Sequence, residues 1–149
     1  MAQTSATLDG ISDAEEIVRE VVRRSGFMQL IDADVVRASP GKVTLEVDYA
    51  PKLAQFNGFF HGGVVATLAD YAGAAAAAVA EPRCPKALTA NLNVTYLAAA
   101  HDGKLAANAT CIKMGSRIRV SRVEVTCDSG DGPKLVAVAD ITVSVSQNA

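Results

Sequence analysis

The chain has 149 residues, is 50% hydrophobic and carries a formal charge of −2 from 14 basic and 16 acidic residues. That length suits one domain able to bury roughly two-thirds of its unfolded surface. The charges are interspersed and offer no basic stripe for nucleic acid and no membrane-binding face. Three cysteines without a C-x-x-C pair offer neither a disulfide framework nor a zinc site.

The N-terminus, MAQTSATLDGISDAEE, has neither a basic n-region nor an apolar h-region, so no signal peptide is read there. Together with the unpaired cysteines this sets a cytoplasmic expectation. Residues 1–11 are expected to fray. Ser12 and Glu15 stand at the S-x-x-E spacing of a capping box. Ile17, Val18, Val21 and Val22 then share one face, which predicts a short amphipathic helix over about 12–25, closed by Gly26. Residues 1–26 thus form a tail and helix, and 27–149 a single domain. Phe27–Ser39 and Lys42–Tyr49 read as strands joined by a Pro40-Gly41 turn. In the second, Val43, Leu45, Val47 and Tyr49 alternate with Thr44, Glu46 and Asp48, the period of a half-buried strand.

A loop over 51–61 leads into the central stretch, Gln55–Ala80, QFNGFFHGGVVATLADYAGAAAAAVA. After His61-Gly62-Gly63 it is apolar or small for about five helical turns, until Pro82 stops it. A helix that is hydrophobic all round is a buried helix. Mostly Ala and Gly, and carrying Asp70, it makes a poor membrane span. A lone carboxylate there is costly unless something uses or satisfies it, so Asp70 is the first candidate for chemistry. Val65, Leu68, Ala69, Ala72, Ala76 and Val79 form one stripe, and Asp70 points away from it.

Only strands follow. Leu88, Ala90, Leu92, Val94 and Tyr96 alternate with Thr89, Asn91, Asn93 and Thr95, and Leu105, Ala107, Ala109 and Cys111 alternate likewise. Ile118 and Val120 fall in one phase and Val123, Val125 and Cys127 in the other, which predicts a bulge near Ser121-Arg122. Leu135–Val145 is the last strand, with Val143 and Val145 inward. The order of helix, two strands, long buried helix and four strands implies an α+β domain whose long antiparallel sheet wraps the helix. Few aromatics are available to fill a core, and a curved sheet leaves an edge and a face to cover. That points to dimerisation.

One combination of residues resembles a known family. His61-Gly62-Gly63 is followed nine positions after His61 by Asp70 in TLAD, with Asn57-Gly58 before it. NVTYL at 93–97 and the basic hairpin Lys113-Met114-Gly115-Ser116-Arg117 support the match. These residues resemble the hotdog-fold acyl-CoA thioesterases over about residues 27–147, nearest to the PaaI-like (phenylacetate-degradation) branch with its Them2-type enzymes. The resemblance implies a hotdog fold and hydrolysis of aryl- or medium-chain acyl-CoA to free acid and CoA. No cofactor is implied, because CoA is part of the substrate, and no metal.

The resemblance also implies a role for each matched position. The Gly62 N–H would polarise the thioester carbonyl, a task that suits the orphan N–H groups and positive end of a helix. Gln55, six residues before His61, would orient the thioester or the water. Asp70 would be nucleophile or general base, and Thr89 falls where Them2-type enzymes carry a serine that assists the acid. Asn57, His61 and Gly63 would lie along the substrate, and Lys113 and Arg117 would meet the CoA phosphates. A sister branch uses Glu as its acid with a hydroxyl four residues later, where this chain has Ala74; Gln55 is more typical of that branch, so the acyl preference stays open.

Plainer readings stand beside these. His61 is favoured as a helix-entry residue, Thr89 could be an ordinary strand residue, and Lys113, Arg117, Arg119 and Arg122 could be a solvated face. His101 is expected at the surface and the cysteines in the core. Rival functions are a hotdog 3-hydroxyacyl-thioester dehydratase or hydratase, and a non-catalytic acyl-CoA sensor. Spacing adds one constraint. Asp70 lies eight residues after Gly62, about 12 Å along the helix axis, too far for its side chain to reach a carbonyl docked at its own helix start. A complete site would need Gly62 of one subunit and Asp70 of another, so a homodimer, paired into a homotetramer, is expected.

Overall fold

The computed structural model describes residues 13–84 and 86–146; the tail over 1–11 and the Ser12 hydroxyl lie outside them. Helix α1 (Ala14–Arg24) is capped by Asp13, whose carboxylate accepts the Glu15 and Glu16 N–H groups at 2.6 and 3.4 Å. The observed cap is therefore one residue beyond the expected Ser12. Ala14, Val18 and Val22 bury one face, and Glu15–Arg19 and Glu20–Arg23 pairs run along the outer one. Gly26 does not end the helical region. Ser25 turns the chain, its Oγ accepts the Met28 N–H, and Gly26–Leu30 forms a second short helix, α2. The expected strand is thus wrong over residues 27–33. The apolar run Phe27–Ile31 suits either period, and the burial of Met28 and Ile31, three apart, goes with the helix.

Strands β1 (Asp34–Ser39) and β2 (Lys42–Asp48) form the expected hairpin, with Gly41 at φ 74° in its turn. A 3-10 turn at Pro51–Leu53 and a loop lead to helix α3 (Gly62–Val79). Then come β3 (Lys86–Tyr96), β4 (Lys104–Met114), β5 (Ile118–Asp128) and β6 (Lys134–Ser146). All pair antiparallel in one six-stranded sheet, ordered β1-β2-β4-β5-β6-β3. Helix α3 touches every strand, which requires the sheet to curl round it. By length and composition α3 could pass for a membrane span. Here the expected stripe from Val65 to Val79 is instead buried against the sheet.

Small residues on α3 set the helix–sheet distance. A Cβ on Gly73 would lie 2.4 Å from Ile141 Cγ1 and 2.9 Å from Ile141 Cβ, and Ser121 Oγ donates to the Gly73 carbonyl at 2.7 Å. Gly73→Ala gains up to about 1 kcal/mol of helix propensity but overpacks a fully buried, β-branched neighbour, which costs about 1–3 kcal/mol. A lower urea midpoint is the expected net result. A midpoint at or above that of the parent would show that the close approach is not set at Gly73.

Strand phase is corrected twice. Strand β5 has no bulge at Ser121-Arg122. Arg119, Ser121, Val123, Val125 and Cys127 alternate inward without a break. The apparent slip arises because two inward positions are polar, and the extra residue is Ile112 on β4, opposite Val120 and Ser121. Arg119 is 1% exposed. Its guanidinium donates to the Ala77 and Ala80 carbonyls at 2.6 and 2.8 Å, and to the carbonyls of Pro82 and Gly115. It thereby satisfies the C-terminus of a helix whose own Ala-rich sequence supplies no cap. In β3 a register shift at Ala90 breaks the expected alternation. Leu88 pairs with Ser144 on the outer face, and Thr89 pairs with Val143 on the face that meets α3.

Candidate active site

The loop before α3 is built from local hydrogen bonds. Ala54 and Phe60 are bridged, the Gln55 N–H donates to the Phe59 carbonyl at 2.8 Å, and Gly58 turns the chain at φ 82°. Gln55 Oε1 accepts the Asn57 N–H at 2.7 Å. That bond uses the amide oxygen and leaves the NH2 group with no hydrogen bond to any described residue. His61 is the N-cap of α3: its Nδ1 accepts the Gly63 N–H at 2.9 Å, and its carbonyl accepts the Val64 N–H at 2.9 Å. Its expected role in helix entry holds. The Gly62 N–H makes no hydrogen bond to any described residue, and it stands at the positive end of an 18-residue helix.

Gln55 and Gly62 line a cleft of about 400 Å³, walled mainly by Phe59, Phe60, Val65, Tyr96 and Leu97. The Tyr96 hydroxyl donates to the Gly62 carbonyl at 2.7 Å. The cleft combines apolar walls with a free N–H and a carboxamide, an arrangement able to dock a neutral carbonyl.

Asp70 is elsewhere. It sits half-buried on α3 and its Oδ1 accepts the Thr89 hydroxyl at 2.7 Å. The Ala90 register shift makes this contact possible by turning Thr89 towards the helix. Neither residue lines the cleft. Among the other expected residues, Asn57 is exposed at the loop tip and the Gly63 N–H is occupied by His61. Lys113 and Arg117 are exposed at the β4–β5 turn, with no side-chain partner among the described residues. Arg119 is buried, and Arg122 forms a two-point pair with Asp140 at 2.7 and 3.2 Å. Neither belongs to a free basic face. The Arg117 carbonyl accepts the Val145 N–H, nine residues along β6 from Val136 at the cleft, or about 30 Å at strand spacing. Thr89, which holds Asp70, pairs with Val143, two residues from Val145, so Asp70 and the basic turn share one end of the subunit and the loop before α3 holds the other.

His101 is exposed, with its ring 5.7 Å from that of Phe59. The three cysteines are buried as expected, and burial pushes the Cys111 and Cys127 thiols up, away from nucleophilic thiolates. The contact of Tyr96 with Gly62 went unread in the sequence. Its one signal is the inward phase of a tyrosine at the end of NVTYL.

The sequence pattern of the Thioesterase superfamily matches residues 57–134. A putative esterase of Halobacterium salinarum is 34% identical over 134 residues, covering 85% of this chain and 88% of its own. The chain belongs to the thioesterase superfamily. Human acyl-coenzyme A thioesterase 13 is 26% identical over 113 residues, covering 74% of this chain and 80% of its own. The crystal structure of a thioesterase family protein from Silicibacter pomeroyi matches at TM-score 0.81 and 26% identity, covering 87% of this chain and 96% of that one. The hotdog fold and the thioester hydrolase class expected from the HGG and TLAD residues both hold for this thioesterase.

Proposed function

We propose that this thioesterase hydrolyses acyl-CoA at a site assembled from two subunits. The unpartnered Gly62 N–H in an apolar cleft, on the same helix as a carboxylate it cannot share a substrate with, carries the reading. In the proposed site the Gly62 N–H and the Gln55 NH2 receive the thioester carbonyl from one subunit. Asp70 of the other, held by Thr89, either takes a proton from the attacking water or attacks the carbonyl carbon itself. If water attacks, the C–S bond breaks, the thiolate takes a proton, and the acid and free CoA leave. If Asp70 attacks, loss of CoA leaves a mixed anhydride on Asp70, which a water then hydrolyses to release the acid and restore the carboxylate. The CoA phosphates meet Lys113 and Arg117, which lie at the Asp70 end. Asn57, His61 and Gly63 form the loop against which the substrate lies.

Strand β3 supports the homodimer reading, since it is a sheet edge with Leu92, Tyr96 and Leu97 exposed. Exposed Leu88, on the outer face of β3, and Ile112 and Ile118 on β4 and β5 offer a second surface for pairing dimers into a homotetramer. The apolar cleft suits an aryl or medium-chain acyl group, in line with the PaaI-like branch, and three free cysteines fit a cytoplasmic setting. The first experiment is thiol release across an acyl-CoA panel. No release from any member would favour the sensor reading, and hydration of an enoyl-CoA the hydratase.

The second experiment mixes two inactive variants, Asp70→Asn and Gln55→Ala. Each mixed dimer holds one site with both halves intact, so about a quarter of wild-type activity is expected from random assortment. Mixtures no more active than the separate variants would place donor and acid in one subunit.

A further inference from the structure

Tyr96 is the side chain that holds Gly62. Its hydroxyl donates to the Gly62 carbonyl at 2.7 Å, and a Cβ at position 62 would lie 3.4 Å from its ring and hydroxyl oxygen. That carbonyl belongs to the Gly62–Gly63 peptide, whose N–H donates to His61 Nδ1 at 2.9 Å. The preceding peptide is held as well, since the His61 carbonyl accepts the Val64 N–H at 2.9 Å. Both peptide planes flanking the Gly62 Cα are therefore clamped, and the free N–H between them has a fixed direction. Glycine is the residue whose backbone would otherwise wander most, so an aim of this kind has to come from outside it. An oxyanion donor acts through preorganisation. The chain from Tyr96 O–H through the Gly62 carbonyl and Gly63 N–H to His61 Nδ1 also polarises along its length.

We propose that Tyr96 is a positioning residue, which aims the Gly62 N–H at the thioester carbonyl by holding the carbonyl of Gly62. This rests on the reading of Gly62 as the carbonyl donor. The same strand presents Thr89 to Asp70, so edge strand β3 sets the geometry of both half-sites. Tyr96 lies outside the subunit's own buried core, so removing its hydroxyl leaves that core unchanged.

Tyr96→Phe tests this, because it keeps the ring and removes only the hydroxyl. Two readouts are taken: the 1H–15N signals of Gly62, Gly63 and the His61 ring nitrogens, and kcat and KM separately for the best acyl-CoA of the panel. The signals of Gly62 and Gly63 are expected to move while those of α3 beyond Ala72 stay. We expect kcat to fall about tenfold with KM held within about twofold. Unmoved Gly62 and Gly63 signals overturn the clamp. Moved signals with unchanged kcat, or a loss confined to KM, overturn its part in the reaction and leave Tyr96 as a wall of the cleft. A wild-type protein silent on the whole panel overturns the thioesterase reading beneath the proposal, and the spectra tell that outcome apart from a failed clamp.

Discussion

Asp70→Asn should lower kcat by about two orders of magnitude or more, with KM little changed, because it removes the group that takes the proton or makes the attack. Asn keeps the size of the side chain and an oxygen for the Thr89 hydroxyl, which Asp70 Oδ1 accepts at 2.7 Å. Folding should therefore survive, and near-identical melting curves beside a collapse in turnover are the expected pattern. Thr89→Val is expected to fall between parent and Asp70→Asn, since it frees the carboxylate from its one observed side-chain partner without removing it. Retention of more than about a tenth of the parental kcat by Asp70→Asn would remove Asp70 from the chemistry and leave a structural carboxylate. The proposal predicts that the loss will be the same for every acyl group cleaved, because the acid acts at the carbonyl and not on the tail.

Arg119→Met should be the most damaging substitution outside the site. The guanidinium is buried and donates to the Ala77, Ala80 and Pro82 carbonyls, at and just past the C-terminus of α3, and to the Gly115 carbonyl in the β4–β5 turn. Methionine can fill much of the volume but donates nothing, and each buried carbonyl left without a partner costs about 1–3 kcal/mol. A total loss of about 3–5 kcal/mol is expected, against a typical domain stability of about 5–15 kcal/mol. Urea unfolding measures it directly. Arg122→Met is the matched control, because its pair with Asp140 is half-exposed and an exposed pair contributes at most about 1 kcal/mol. Equal losses for the two variants would refute the capping role of Arg119.

The contrast between Arg119 and Arg122 also shows where sequence reading stops. Alternating hydrophobicity treats every arginine on a strand as outward. A chain that reads Ile118-Arg119-Val120-Ser121 therefore looks like a phase slip, although the strand is regular and its two polar inward residues serve the helix beneath. Alternation alone puts Thr89 on the outward face for the converse reason, although the family resemblance sets it beside the acid. Its alternation is regular in sequence, and the register shift at Ala90 that turns it towards Asp70 depends on pairing with β6. Residues 27–31 failed on a third ground, since a short apolar run fits a strand or a helix equally and only its neighbours select between them.

What the sequence by itself determined is local and periodic. It defined the Ala-rich helix and its buried stripe, the alternating strands, the Pro40-Gly41 turn, and the HGG and TLAD residues that mark a thioesterase. It also determined that Gly62 and Asp70 stand about 12 Å apart on one rigid helix, because helical rise is a property of the backbone alone. Only the tertiary structure decided which polar groups are already satisfied. Arg119 is bonded to the end of α3, Ser121 to the Gly73 carbonyl and Thr89 to Asp70, while the Gly62 N–H meets no described residue at the border of the cleft. The reason is physical: a hydrogen bond between residues far apart in the chain depends on strand register and helix–sheet distance, and neither has a local signature in the sequence.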